Sequence, residues 1–360
     1  MHKRIISLLL SCLLLTIPLS PVAFAAENNT SSCYIATIEC PAAYTAYATE
    51  NVSDFILSLN ENINYSSINV GTPFAFTDAN ADVYYFPVIC DGSIKYLFRV
   101  YPDGNSFSAA ITAFLADEIE SLAEYTSANN PMYLNLVDTK IVATIGSNQY
   151  VLFEYPEDMS TAGDEVETTS FCNYSVVNAK NPTNIELNLR QTRDVHKYIN
   201  LNIIETQTGS GNSWCTAYCL ATIIRTQTSY YTTASGIMTI AVGANPSTST
   251  AFPWTTSDPQ AMIDVANQYG LSPTVLSTTA SNAVLTSEIN AGRPCIAAMN
   301  RGAGRHSIVL RGYSSLGTWG IWNPWFSTYE NYSMTGAYVP TGYSAADYSY
   351  IPYMHAYNFG

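Results

Sequence analysis

Ser213-Trp214-Cys215-Thr216-Ala217-Tyr218-Cys219-Leu220-Ala221-Thr222-Ile223-Ile224-Arg225 is the stretch on which the reading of the fold turns. Ala217, Leu220, Ala221 and Ile224 recur at i, i+3, i+4 and i+7, the spacing of one apolar helix face. That spacing predicts a helix from Trp214 or Cys215 to about Arg225. A second helix is punctuated by Asp258 as N-cap, Pro259 at the first helical position and Gly270 as the stop. A third runs from Asn282 to Ala291, capped by Ser281 and ended by Gly292. After it the period changes. Cys295–Met299, Ser307–Arg311 and Thr318–Trp322 read as strands. Helices first and antiparallel strands second describe an α+β domain with a cleft between the two groups.

Cys215 stands at the start of the first of these helices. A thiol there feels the positive end of the macrodipole, which favours the thiolate, its nucleophilic form. A cysteine hydrolase also needs an imidazole to take and return a proton, and a third group to orient that imidazole. His306 opens one strand and Asn323 closes the next. In an antiparallel pair of 306–311 with 318–323, the two come opposite each other, so Asn323 orients the ring in one tautomer. His196 and His355 have no comparable partner. Cys219, one turn beyond Cys215, and Cys295, inside an apolar strand, read as small buried hydrophobes.

The N-terminal half has a different character. From Ala26 to Ile185 it carries 20 acidic residues against Lys95, Arg99, Lys140 and Lys180, whereas 8 acidic and 8 basic residues balance from Glu186 onward. The overall charge of −14 argues against nucleic acid and anionic membranes as partners. Val83–Cys90 and Tyr96–Tyr101 read as strands joined by the hairpin signal Asp91-Gly92. Phe107 to Glu124 has apolar residues at helical spacing, and strands follow near 133–136, 141–144 and 150–153. This half is an α+β unit, and the polar stretch Pro156–Asn184 reads as a connector, with Arg190, Arg193 and Lys197 grouped just beyond it.

Lys3 and Arg4, the apolar run Ile5–Leu19 and Ala23-Phe24-Ala25 form the pattern of a secretory signal cut after Ala25. Pro18 and Pro21 shorten the run for a membrane span, and the apolar stretch passes Cys12 without the break expected of a lipoprotein. The expectation is a secreted, extracellular monomer with no stable membrane association. The domains are then 1–25, signal; 26–190, acidic pro-domain with a linker from about 156 to 190; and 191–360, catalytic. Seven cysteines remain after the signal, an odd number that leaves at least one thiol unpaired in an oxidising compartment. Cys33 with Cys40 and Cys90 with Cys172 are conceivable pairs, but spacing does not decide connectivity. No zinc-like spacing occurs and histidines are few, so neither metal nor cofactor is expected.

Glu205-Thr206-Gln207, then Trp214-Cys215-x-Ala217-Tyr218, His306 and Ile321-Trp322-Asn323-Pro324-Trp325, resemble the staphopain family of secreted bacterial cysteine peptidases over roughly Asn200 to Gly360. The resemblance implies a papain-like fold of a helical part and an antiparallel β part. It implies Cys215 as nucleophile, His306 as general base and acid, and Asn323 as the orienting residue. It also implies Trp325 as the aromatic shielding the His–Asn bond and Gln207 as an oxyanion donor. Seven residues separate Gln207 from Cys215 where that family has five, the excess falling in Thr208-Gly209-Ser210-Gly211. The resemblance further implies a zymogen whose acidic half inhibits the cleft intramolecularly and whose substrates are proteins or peptides. Two other readings stand beside it: a Cys–His peptidoglycan amidase or endopeptidase, and a non-catalytic secreted binding module.

Overall fold

The computed structural model describes residues 32–59, 63–77, 82–156, 174–189, 196–254, 258–277, 281–301, 304–336, 338 and 355–359. The stretch 1–25, read above as a signal, lies outside them, as do Cys172, Arg190 and Arg193. In the N-terminal half, β1 (Tyr34–Thr37) leads to the long α1 (Ala42–Ser58). Then come β2 (Ile68–Val70), β3 (Tyr84–Cys90), β4 (Ser93–Asp103), β5 (Ser106–Thr112), the short α2 (Ala116–Leu122), β6 (Met132–Val137), β7 (Lys140–Ile145), β8 (Asn148–Glu154) and β9 (Ser175–Asn178). The C-terminal half has β10 (His196–Tyr198), α3 (Cys215–Gln227), α4 (Ala234–Val242), α5 (Gln260–Gln268), β11 (Pro273–Ser277), α6 (Asn282–Asn290), β12 (Cys295–Arg301), β13 (Gly304–Ser314), β14 (Thr318–Trp322), β15 (Tyr329–Ser333) and β16 (His355–Phe359). The class is α+β, and its helical part followed by antiparallel strands is compatible with a papain-like fold. No helix among the described residues is long and apolar enough to cross a membrane.

Local chemistry explains most elements. Asp91 and Gly92 both take positive φ, 50° and 80°, as a two-residue turn between β3 and β4 requires. Ser281 caps α6 by accepting from the Val284 N–H at 3.4 Å. The stretch from Phe107 departs from the helical expectation, since its first part is β5 and only Ala116–Leu122 is α-helix. Ala109, Ala110 and Ile111 are buried on both faces between two neighbouring strands, and a short run of that kind fits either period. The stretch 174–184 is more than a connector. β9 pairs antiparallel with β1, and the Thr183 N–H donates to the Val70 carbonyl at 2.8 Å.

Two sheets organise these elements. One runs β8-β7-β6-β1-β9, and the other runs β11-β16-β12-β13-β14-β15-β5-β4-β3-β2, with β10 beside β13. The larger sheet crosses from one half of the chain to the other where β15 pairs with β5, Glu330 opposite Thr112 and Tyr332 opposite Ala110. One core cluster spans the same junction, joining Tyr85, Leu97 and Tyr101 to Trp319, Ile321 and Tyr332. Alternation along the strands loads both faces. Ile308 and Leu310 enter that shared core, while Val309 and Trp322 pack with α3, α4 and α5.

Cys33 and Cys40 are unlinked thiols.

Candidate active site

Cys215 is the first residue of α3, and every residue from Cys215 to Arg225 is buried. Burying a whole helix start demands partners for its backbone, and Asn212 supplies one: its Oδ1 accepts from the Trp214 N–H at 3.1 Å. Asn212 also donates from Nδ2 to the Thr208 carbonyl at 2.9 Å. Gly209 and Gly211 hold φ at 85° and 74°, so the two glycines let the longer loop before Cys215 fold back on itself. At the far end of α3, Arg225 binds the Glu205 carboxylate at 3.0 Å. The same Glu205 oxygen accepts from the Ala234 N–H at 2.8 Å, tying the segment that carries Gln207 to both α3 and α4.

Gln207 is buried beside this loop. Its backbone N–H donates to the Pro324 carbonyl at 2.8 Å, and its Nε2 donates to the Asn212 carbonyl at 2.6 Å. It thus bridges the loop before Cys215 and the turn after Asn323. The start of α3 is held against β13 through the residues next to Cys215 and His306. Thr216 Oγ1 shares a hydrogen bond of 2.8 Å with Ser307 Oγ and also accepts from the Trp254 indole N–H at 2.8 Å. Cys219 Sγ donates to the Ser307 carbonyl at 3.3 Å. Burial pushes the Cys219 thiol well above its ordinary pKa, with the neighbouring Cys215 adding to the shift.

His306, Asn323 and Trp325 are brought into direct contact. His306 Nε2 stands 2.9 Å from Asn323 Oδ1. The Trp325 indole stacks on the imidazole with centroids 4.0 Å apart and planes at 28°. His306 and Asn323 have no exposed surface, and Trp325 is 2% exposed. The register differs from the expected one. Val309, three residues beyond His306, pairs with Trp322, so Asn323 reaches the ring from the turn beyond β14 rather than from a position opposite it. A bulge between Leu310 and Gly312 accompanies this offset.

The amide of Asn323 is oriented by two further bonds. Its Oδ1 accepts from the Trp325 N–H at 3.1 Å, and its Nδ2 donates to the Tyr338 hydroxyl at 3.0 Å. With an acceptor facing Nε2, the neutral ring carries its proton on Nε2 and keeps the lone pair on Nδ1.

Residues 194–348 match the model of the Peptidase_C39 like family. The match supports a cysteine peptidase. It takes in Cys215, His306 and Asn323, with Gln207 and Trp325, and it does not single out the staphopains. No curated protein matches the chain. Among the described residues of the peptidase-like region and its neighbour, no group of three or more His, Cys, Asp or Glu is placed to hold a metal ion.

Several contributors escaped the sequence reading. Tyr338 and Glu330 lie in the peptidase-like region but outside its obvious motifs, and Tyr155 comes from the other half. Tyr155 packs edge-on to Trp325 at 5.4 Å, and the Asn212 N–H donates to the Pro156 carbonyl at 2.9 Å. Their only sequence signal is composition: a buried Tyr needs a partner for its hydroxyl, and a Glu in an aromatic strand needs a cation.

Proposed function

We propose that this chain is a secreted cysteine endopeptidase that hydrolyses peptide bonds through Cys215, His306 and Asn323 by way of a thioester acyl-enzyme. The observation that carries the reading is the 2.9 Å contact of His306 Nε2 with Asn323 Oδ1 beneath the Trp325 ring. It leaves Nδ1 as the basic nitrogen, on a strand whose next residue, Ser307, bonds to both Thr216 and Cys219 of the Cys215 helix. The particular likeness to staphopains rests on the Trp214-Cys215 and Trp322-Asn323-Pro324-Trp325 blocks.

In this mechanism the Cys215 thiolate attacks the scissile carbonyl carbon. The Cys215 N–H and the Gln207 side chain stabilise the oxyanion. Protonated His306 gives its Nδ1 proton to the leaving amine, and the C–N bond breaks to leave a thioester. Neutral His306 then takes a proton from water, which attacks the thioester and releases the acid and the thiolate. General acid–base help of this kind contributes roughly 10²–10⁴-fold. The precursor is cut near Arg190 and Arg193, the basic group beyond the acidic half, and the contacts of Tyr155 and Pro156 favour an inhibitory role for that half before the cut.

The test is the secreted protein assayed on casein and on isolated cell walls, with Cys215→Ala alongside. Casein cleavage and labelling by an E-64-type epoxide are both expected to vanish in Cys215→Ala. Full labelling of that variant would sink the assignment, and cleavage of cell walls in preference to casein would favour the amidase reading.

A further inference from the structure

The bond network of Asn323 does not stop at Tyr338. The Tyr338 hydroxyl donates to Glu330 Oε2, and Glu330 Oε1 accepts from Arg99 Nη2 at 2.9 Å. Neither Arg99 nor Glu330 has exposed side-chain surface. Arg99 belongs to β4 of the acidic half, so a chain of buried donors and acceptors runs from that half to the ring of His306.

Direction along the chain is fixed by chemistry. An Arg has only donors and an ionised Glu only acceptors, so Glu330 takes the Tyr338 proton side. The Tyr338 oxygen is then left to accept, and the partner it accepts from is Asn323 Nδ2. That holds Asn323 Oδ1 toward His306 and the ring proton on Nε2. Reverse any one member and the amide can turn over, presenting NH₂ to Nε2 and moving the ring proton to Nδ1, where a base is needed.

We propose that Arg99, Glu330 and Tyr338 are positioning residues that lock Asn323 and, through it, the tautomer of His306, so that the N-terminal half supplies part of the working site. This rests on the triad reading above. It assigns the acidic half a role beyond that of a detachable inhibitor. The ionisable groups around this centre are Cys215 and Cys219 from α3, Tyr155 behind Trp325, Arg99 and Tyr101 from β4, Tyr85 from β3, and Tyr332 beside Tyr338.

The test uses the full secreted chain and a fluorogenic peptide, with Tyr338→Phe, Glu330→Gln, the charge-removing double variant Arg99→Met/Glu330→Gln, and Cys215→Ala as control. Tyr338→Phe is expected to lower kcat roughly 10–100-fold with KM within about twofold. The ring-nitrogen NMR shifts of His306 should lose the Nε2–H signature that the locked amide imposes. A fold-only role would alter the melting midpoint without changing that tautomer. If Glu330→Gln fails to fold through its stranded arginine, the double variant, with neither charge, is expected to fold and to show the same low kcat. Wild-type kcat and an unchanged His306 tautomer in Tyr338→Phe would overturn the proposal while Cys215→Ala remained inactive. Activity surviving in Cys215→Ala would instead overturn the triad itself.

Discussion

Tyr155 stands edge-on to Trp325, ring centroids 5.4 Å apart and planes at 80°, while Trp325 lies flat on His306. A residue of the acidic half therefore buttresses the aromatic that covers the His306–Asn323 bond. Removing the cover admits water to compete for Asn323 Oδ1. Trp325→Ala is expected to cost about 3–5 kcal/mol of stability as a buried aromatic and at least about tenfold in kcat. Tyr155→Leu loses the edge-to-face contact, worth about 0.5–1.5 kcal/mol, together with some buried volume, and should leave KM unchanged. Denaturant melts paired with steady-state kinetics on a peptide substrate check both variants.

Thiol reactivity should be confined by burial. Cys33 and Cys295 are pushed up to about 12, chiefly by burial, and the Cys219 thiol is raised well above its ordinary value for the same reason. A raised thiol pKa means the neutral, unreactive form persists as pH climbs. At pH 8 a thiol of that kind is roughly one part in ten thousand thiolate. Brief iodoacetamide treatment of the folded protein between pH 6 and pH 8 is expected to modify Cys215 ahead of these three, as read by peptide mapping. Comparable labelling of Cys295 or Cys219 in the folded chain would contradict the burial account.

A cut between the halves should not separate them. β15 pairs with β5 in the interior of the larger sheet, and Arg99 and Glu330 are sealed across the junction. Pulling the halves apart breaks the β15–β5 pairing and exposes the apolar core that joins Tyr85, Leu97 and Tyr101 to Trp319, Ile321 and Tyr332. After limited proteolysis near Arg190 and Arg193, the two fragments are expected to elute together on gel filtration and to part only in denaturant. Elution of a free C-terminal fragment with full activity would be incompatible with Arg99 as a contributor.

The contrast between what the chain announces and what it conceals follows from range. Cys215, His306, Asn323 and Trp325 stand in short motifs, and the helix that starts at Cys215 is written in its own 3.6-residue period. So are α5 and α6, with their Pro, Ser and Gly punctuation. β5 misleads because Ser108–Thr112 is buried on both faces, and continuous burial erases alternation. The offset between β13 and β14 is set at the turn that joins them, where Ser314 pairs with Thr318, and hydrophobic pattern carries no mark of it. Arg99 and Glu330 are 231 positions apart, and only the sheet order brings them together. Helix starts are local chemistry, whereas the support of Asn323 is topology.

The loop before Cys215 supplies the last test. Gln207 Nε2 donates to the Asn212 carbonyl at 2.6 Å, and Asn212 in turn holds the Trp214 N–H at the head of α3. Gly211 sits between them at φ 74° with nothing within 4 Å of where a Cβ would stand. Gly211→Ala therefore meets no clash and pays only the left-handed backbone penalty, about 1–2 kcal/mol. Because that strain falls on the loop that sets Cys215, kcat should drop while the global melt shifts by no more than a few degrees. Gln207→Ala is expected to cost more, roughly 10²–10³ in kcat as an oxyanion donor, with KM little changed. Gln207→Glu offers Asn212 an acceptor where it needs a donor, so it should be no better than Ala. A Gln207→Ala enzyme with wild-type kcat would leave Gln207 as a loop fastener alone and pass the oxyanion to the Cys215 N–H and another donor.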